Sequence, residues 1–181
     1  KEKRASINQL IREGVFDQNK KLTLPALPRR IAVISVETSK GYADFLKIIN
    51  ENPWHYRFFV MLFPALLQGD KAGASISFQL SRIERIKHHF DLVAIIRGGG
   101  GDAGLSAFNN ADLARKIALF PLPVLTGIGH ATNETVVEMV AYRNSITPTD
   151  LADFLILQLQ KMSASLNEAL QIIQGRSLQL L

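Results

Sequence analysis

Apolar residues run along this chain in two alternating rhythms. Short continuous blocks, Ile31–Val36, Phe58–Phe63, Leu92–Ile96 and Val124–Ile128, are rich in β-branched side chains and predict four strands. Between them the apolar positions fall three or four residues apart. That spacing predicts helices over residues 39–51 (Phe45, Leu46, Ile49), 71–88 (Ile76, Leu80, Ile83, Ile86), 105–119 and about 133–142. Strands alternating with helices argue for an α/β fold. Strands that are apolar throughout are covered on both faces, as in a parallel sheet. The expectation is a four-stranded, mostly parallel sheet with helices on both faces, in the order 2-1-3-4 by analogy with half of a doubly wound sheet.

Helical patterns also occupy both ends. Ile7, Leu10 and Ile11 precede Gly14, and a stripe of Leu151, Phe154, Leu155, Leu159, Met162, Leu166, Leu170 and Ile173 closes the sequence. Both patterns read as cuts through a longer protein. The organisation expected is an N-terminal helix and basic leader over 1–29, an α/β catalytic domain over 30–147, and the start of a long C-terminal helical arm over 148–181. The terminal stripe either packs on the sheet or pairs with another chain, since fewer than three further heptads are present to mark a coiled coil.

Composition narrows the function classes. No apolar run reaches the roughly 18 residues of a membrane span, and the start is polar rather than signal-like, so a cytoplasmic protein is expected. The chain has no cysteine, which removes disulfides, thiolate nucleophiles and cysteine zinc sites. The net charge of +5 is uneven. Residues 1–30 carry eight Lys/Arg against three Asp/Glu, whereas the other 151 carry 13 of each sign. A basic patch attracts polyanions, yet a solvated leader would have the same composition.

In open parallel sheets, ligands bind beyond the carboxyl ends of the strands. After the third strand the chain reads Arg97-Gly98-Gly99-Gly100-Gly101. Consecutive glycines cost conformational entropy, but they bring backbone N–H groups close to a ligand. Leading into a helix, such a turn can cradle phosphate, and Arg97 adds a permanently charged fork. The alternative is a tight structural turn with Arg97 paired to a surface acid. The pattern is neither a P-loop nor a dinucleotide fingerprint. After the fourth strand comes Gly129-His130-Ala131-Thr132-Asn133-Glu134. His130 there is a candidate general acid, general base or nucleophile, or else the cap of the next helix. Asp44, early in the helix after the first strand, is the third candidate; such a carboxylate also simply offsets a helix dipole. Glu138 reads as solvent-facing, and Thr147 or Thr149 as the cap before Pro148.

Taken together these blocks resemble the large subunit of exodeoxyribonuclease VII over about residues 10–155. The resemblance is carried by Leu10-Ile11-Arg12-Glu13-Gly14-Val15-Phe16-Asp17, by Ile31-Ala32-Val33-Ile34-Ser35 with Ala43-Asp44-Phe45-Leu46, and by Phe63-Pro64-Ala65-Leu66-Leu67-Gln68-Gly69. Arg97-Gly98-Gly99-Gly100, Ala107-Phe108-Asn109, Gly129-His130 and Thr147-Pro148-Thr149 complete it. The resemblance implies a hydrolase that cuts single-stranded DNA to oligonucleotides from either end, in DNA catabolism, with no metal or other cofactor. It implies a small helical subunit bound along the C-terminal arm, and an oligonucleotide-binding domain before residue 1. Asp44, Arg97, His130 and Asn133 fall on the family's functional positions, with Gly98, Gly99, Gly100 and Gly101 as phosphate contacts.

The chain departs from the family where Gly-His-Glu-Thr-Asp is usual: Ala131 and Asn133 replace two carboxylates. Asp102-Ala103 stands where an acidic pair is usual, and Tyr142 where the family has Asp. Asn133 makes hydrogen bonds but is no base, and the neighbouring Glu134 would face elsewhere on a helix. The expected mechanism stabilises phosphate charge with the glycine amides and Arg97, moves a proton through His130 and orients it with Asp44. The alternatives are a catalytically weakened DNA-binding or scaffold domain of the same family, and a small-molecule phosphoryl enzyme on the same fold.

Overall fold

The structure, a computed structural model, describes residues 2–98, 104–128 and 134–178, with the backbone alone for 175–178. Its sheet contains five parallel strands rather than four: β1 (Arg30–Ser35), β2 (Phe59–Pro64), β3 (Leu92–Ile96), β4 (Val124–Gly127) and β5 (Arg143–Ser145). The order is β2-β1-β3-β4-β5, so the expected 2-1-3-4 arrangement holds and gains a strand. Residues 141–145 carry no apolar block, which is why the fifth strand has no signature. Tyr142 N–H donates to Val124 O at 2.8 Å and draws this short segment onto β4.

The helices are α1 (Glu2–Arg12), α2 (Lys40–Asn50), α3 (Ala72–Arg85), α4 (Ala111–Ala118), α5 (Val136–Val140) and α6 (Pro148–Leu178). The helix expected over 105–119 divides into a single 3-10 turn, Ser106–Asn109, and α4. Asn110 caps α4 by accepting from Asp112 and Leu113 N–H at 2.9 and 3.0 Å, and a capping asparagine starts a helix rather than continuing one. The helix expected to reach 142 ends at Val140, because Ala141 is extended and leads into β5.

Alternate side chains of β1 to β4 feed two cores. Ala32, Ile34, Val93 and Ile95 pack with α3, α4 and α5 residues on one face. Ile31, Val33, Leu92, Ala94 and Ile96 pack with Phe45 and Ile49 of α2 and Leu151 and Leu155 of α6 on the other. Helices therefore cover both faces, as a parallel sheet demands. Beyond Leu159 the α6 stripe leaves the sheet: Leu166, Leu170 and Ile173 are all at least half exposed. No helix among the described residues is long and apolar enough to cross a membrane.

The lead-in segment is tied to the α/β body. Leu10 is fully buried, Ser6 Oγ donates to Asn109 O at 2.8 Å, and Arg115 grips Glu13 through Nε and Nη2 at 2.7 and 2.6 Å. Those Arg115 hydrogen bonds hold the Glu13 carboxyl down at about 2. Asn19 is fully buried and serves four backbone groups. Its amide donates to Phe120 O and Leu122 O, and its oxygen accepts from Val124 and Tyr142 N–H. One side chain thus pins the starts of β4 and β5 to the leader. Asn19→Ala strands these groups in a dry interior, where each unmade bond is costly; a stability loss of about 2–4 kcal/mol is expected in urea unfolding, and a loss under about 0.5 kcal/mol would refute this role.

Candidate active site at the carboxyl edge of the sheet

The site is set by how closely the backbone passes itself. A β-carbon at Gly41, the second residue of α2, would lie 2.6 Å from Gly98 Cα and 2.9 Å from Pro148 Cγ. At Gly98 it would lie 2.8 Å from Gly41 N, and at Gly127 it would lie 3.2 Å from Pro148 Cα and Thr147 O. At Gly41 and Gly98 only glycine permits this approach, and at Gly127 a β-carbon would be tight. The approach brings the tips of β3 and β4 against the first turns of α2 and α6. Gly104, at φ +100°, needs glycine for its backbone angle and rests on Gln68 from the segment after β2. Among the described residues, segments following β1, β3 and β5 therefore meet at the carboxyl edge, with the end of β4 beside them.

Both helix starts are shaped by side chains. Ser39 Oγ accepts from Tyr42 N–H at 3.2 Å, and Thr147 Oγ1 accepts from Asp150 N–H at 3.0 Å. Thr147 is thus the cap and Pro148 the first helical residue, as the sequence suggested. Asp150 returns the bond through Ile146 N–H at 3.1 Å. Among the described residues no hydrogen bond uses the N–H of Lys40, Gly41 or Thr149. These donors carry the positive ends of two helix dipoles and suit an anion. Ser35 Oγ donates to Ile96 O at 2.7 Å and ties the tips of β1 and β3 together. Burial, with Glu37 nearby, pushes the Tyr42 phenol up.

Arg97 and Asp44 lie on opposite faces of the sheet. Arg97 continues the ladder, its N–H donating to Gly127 O at 3.1 Å, and is 2% exposed. The alternation of β3 carries its side chain toward the face of Val93 and Ile95. Asp44 lies on α2 across the sheet, where it lines a cleft of about 420 Å³ with Lys47, Trp54, Thr149 and Asp153. Gly98 stands at the meeting of β3 and α2. Gly99, Gly100, Gly101, His130 and Asn133 lie outside the described residues.

Glu138 is where the structure corrects the solvent-facing expectation. It is 2% exposed, and its Oε2 accepts from Thr135 N–H and Oγ1 at 2.6 and 2.7 Å in a capping box. The Thr-x-x-Glu spacing was the available signal. Glu138 Oε1, and Ser145 Oγ at the tip of β5, are buried without a hydrogen bond among the described residues. Unused bonding capacity inside a protein is uncommon, and both atoms belong to this end of the sheet. Asn109 links the neighbouring segments by accepting from Val136 N–H at 3.2 Å. Glu134 is held by Asn144 at 3.2 Å. No group of three or more His, Asp or Glu among the described residues could hold a metal ion.

A family model described as "Exonuclease VII, large subunit" matches residues 15–180. This chain belongs to the exonuclease VII large-subunit family. Curated relatives bear the name exodeoxyribonuclease 7 large subunit. The Clostridium tetani protein is 30% identical over 88% of this chain and 39% of its own length. The Synechococcus sp. CC9311 protein is 38% identical over 78% and 36%, and the Nostoc sp. PCC 7120 protein 33% over 86% and 37%. The chain thus spans 36–39% of these relatives' length.

The close approach at Gly41 yields a direct check. Gly41→Ala must drive α2 off the Gly98 turn, since backbone blocks the new methyl. A destabilisation of about 1–3 kcal/mol is expected in thermal or urea unfolding. The same substitution at Gly73, where nothing lies within 4 Å, should be neutral or stabilising. Equal behaviour of the two variants would contradict the packing described.

Proposed function

We propose that this chain is the phosphodiester-cleaving domain of a nuclease that degrades single-stranded DNA to oligonucleotides. One observation carries the reading: in a chain of the exonuclease VII large-subunit family, two helix N-termini, the Gly98 turn and buried Arg97 meet on one rim. A backbone phosphate over that rim would receive the amides of Lys40, Gly41 and Gly98 together with the Arg97 guanidinium, donors suited to the charge that grows as the P–O bond breaks. His130, from the segment after β4, transfers the proton. Asp44, from the α2 side, orients the attacking or leaving oxygen. Gly99, Gly100 and Gly101 extend the amide cradle. Glu138 braces the segment that carries His130.

The proposed assembly is that of a large subunit. An oligonucleotide-binding domain precedes residue 1, and a small helical subunit lies along the arm, a reading supported by the exposed Leu166, Leu170 and Ile173 of α6. The reading includes a cytoplasmic setting and a reaction without a metal. A second reading is favoured by the replacement of two carboxylates by Ala131 and Asn133: a domain that grips DNA and cuts it weakly.

End-labelled single strands separate the two. The nuclease reading expects oligonucleotide products from the chain and a loss of about 10²–10³-fold in rate for Arg97→Ala or His130→Ala. Asn133→Asp should raise the rate by supplying the missing base. Binding without cleavage, unchanged by His130→Ala and not rescued by Asn133→Asp, would leave only the scaffold reading.

A further inference from the structure

The opposite end of the sheet carries a second concentration of chemistry that the carboxyl-edge site does not use. Arg29 and Arg30 precede and open β1, and Arg57 precedes β2. With Leu27, Phe58 and Phe59 they line a groove of about 500 Å³ whose acidic residue is Asp91. That acid is already committed. Asp91 Oδ2 accepts the backbone N–H groups of Arg29 and Arg30 at 2.9 and 2.8 Å, and Oδ1 accepts Arg30 Nε and Nη2 at 3.1 and 2.6 Å. Burial works against its charge, but these bonds hold its carboxyl below the usual carboxylate range. Asp91 therefore fixes the arginine backbone and offsets one guanidinium.

Two arginines remain. Arg29 Nε donates to Arg57 O at 2.7 Å, which brings Arg29 beside the Arg57 backbone. Neither guanidinium forms an ion pair among the described residues. Adjacent like charges without a carboxylate are held at an electrostatic cost that a bound anion would relieve.

Phe59 stands on the border of this groove and is 52% exposed; Met61, two residues on, is 40% exposed. Phe59 and Arg30 also line a second, largely apolar hollow of about 480 Å³ with Met61, Ile86, His89 and Phe90. Lys87 and the mutually tilted rings of His88 and His89, 4.1 Å apart, are exposed beside it. Cations and an exposed ring set together with apolar surface match a ligand that is anionic along one edge and flat and apolar along the other. A single nucleic-acid strand has that form. A duplex hides its bases, and a polyphosphate has none.

We infer that the amino edge of the sheet is a second binding site for single-stranded nucleic acid, with Arg29 and Arg57 on phosphates and Phe59 under a base. Its choice of ligand rests on the single-strand reading above. Strands of five or six residues set the two edges roughly 20 Å apart, so one strand can occupy both. The site would hold a long substrate while the carboxyl edge acts on its end.

The test measures binding of a labelled oligodeoxythymidine of about 20 nucleotides by anisotropy across a salt series, with cleavage followed in parallel. Arg29→Ala/Arg57→Ala is expected to weaken binding about tenfold and to flatten the log–log salt dependence by about 1.4, near 0.7 for each lost phosphate contact. Phe59→Ala should weaken binding about fivefold without changing that slope. Arg29→Lys/Arg57→Lys should restore most of the slope, which separates charge from folding. Equal affinity and slope for all variants would overturn the second site while leaving the nuclease reading to its cleavage result. Binding lost with the arginines in a chain that never cleaves would sustain the site and sink the nuclease reading. Arginine-dependent binding of polyphosphate or anionic vesicles, with none of single strands, would overturn the ligand assigned, as would no binding at all.

Discussion

An α-carbon with nothing but hydrogen on it, at Gly41, Gly98 and Gly127, is what lets this fold close its carboxyl edge. Any β-carbon at Gly41 or Gly98 would stand under 3.0 Å from the opposing backbone. The contacts join α2 to β3, and α6 to β4, at the positive ends of both helices. A pair of helix starts held farther away would still cover the sheet, but their N–H groups would not converge with the strand tips. Fixed donors of this kind need no reorganisation when charge appears near them.

The remaining structure holds that convergence in place from behind. Phe45 and Ile49 of α2 and Leu151 and Leu155 of α6 sink into one core, which sets the angle at which the two helices reach the rim. On the other face the capping box of Thr135 and Glu138, the Asn109 bond to Val136 N–H and the Ser6 bond to Asn109 O link α1, the Ser106–Asn109 turn and α5 in series. The basic leader thus belongs to the packing of the domain as well as to its charge. The arginines at its end, Arg29 and Arg30, sit at the far edge of the sheet, held by Asp91.

Much of the fold is legible in the sequence because four strands are apolar on both faces and the helices between them keep one apolar stripe. The alternation fixed the α/β class, the parallel order and the two helical layers. β5 was not legible: Arg143-Asn144-Ser145 has no apolar content, and its pairing depends on backbone bonds to β4 and on Asn19, some 120 residues away. At the site, the Gly98–Gly101 run pointed to a ligand close to the backbone, but not to the approach of Gly98 to Gly41 or of Gly127 to Pro148. Glu138 was misjudged because a lone acid on a short helix reads as exposed; its burial follows from a cap that satisfies one oxygen. Asp44 and Arg97 rise from different faces of the sheet, which linear spacing does not encode.

The most direct measurement is a titration of the chain with inorganic phosphate, followed through backbone amide resonances. Convergence of donors at the carboxyl edge predicts that the amides of Gly41, Gly98 and Thr149 shift together and saturate with one common dissociation constant. If those three stay fixed while phosphate saturates elsewhere on the chain, the carboxyl edge is not an anion site and the account fails.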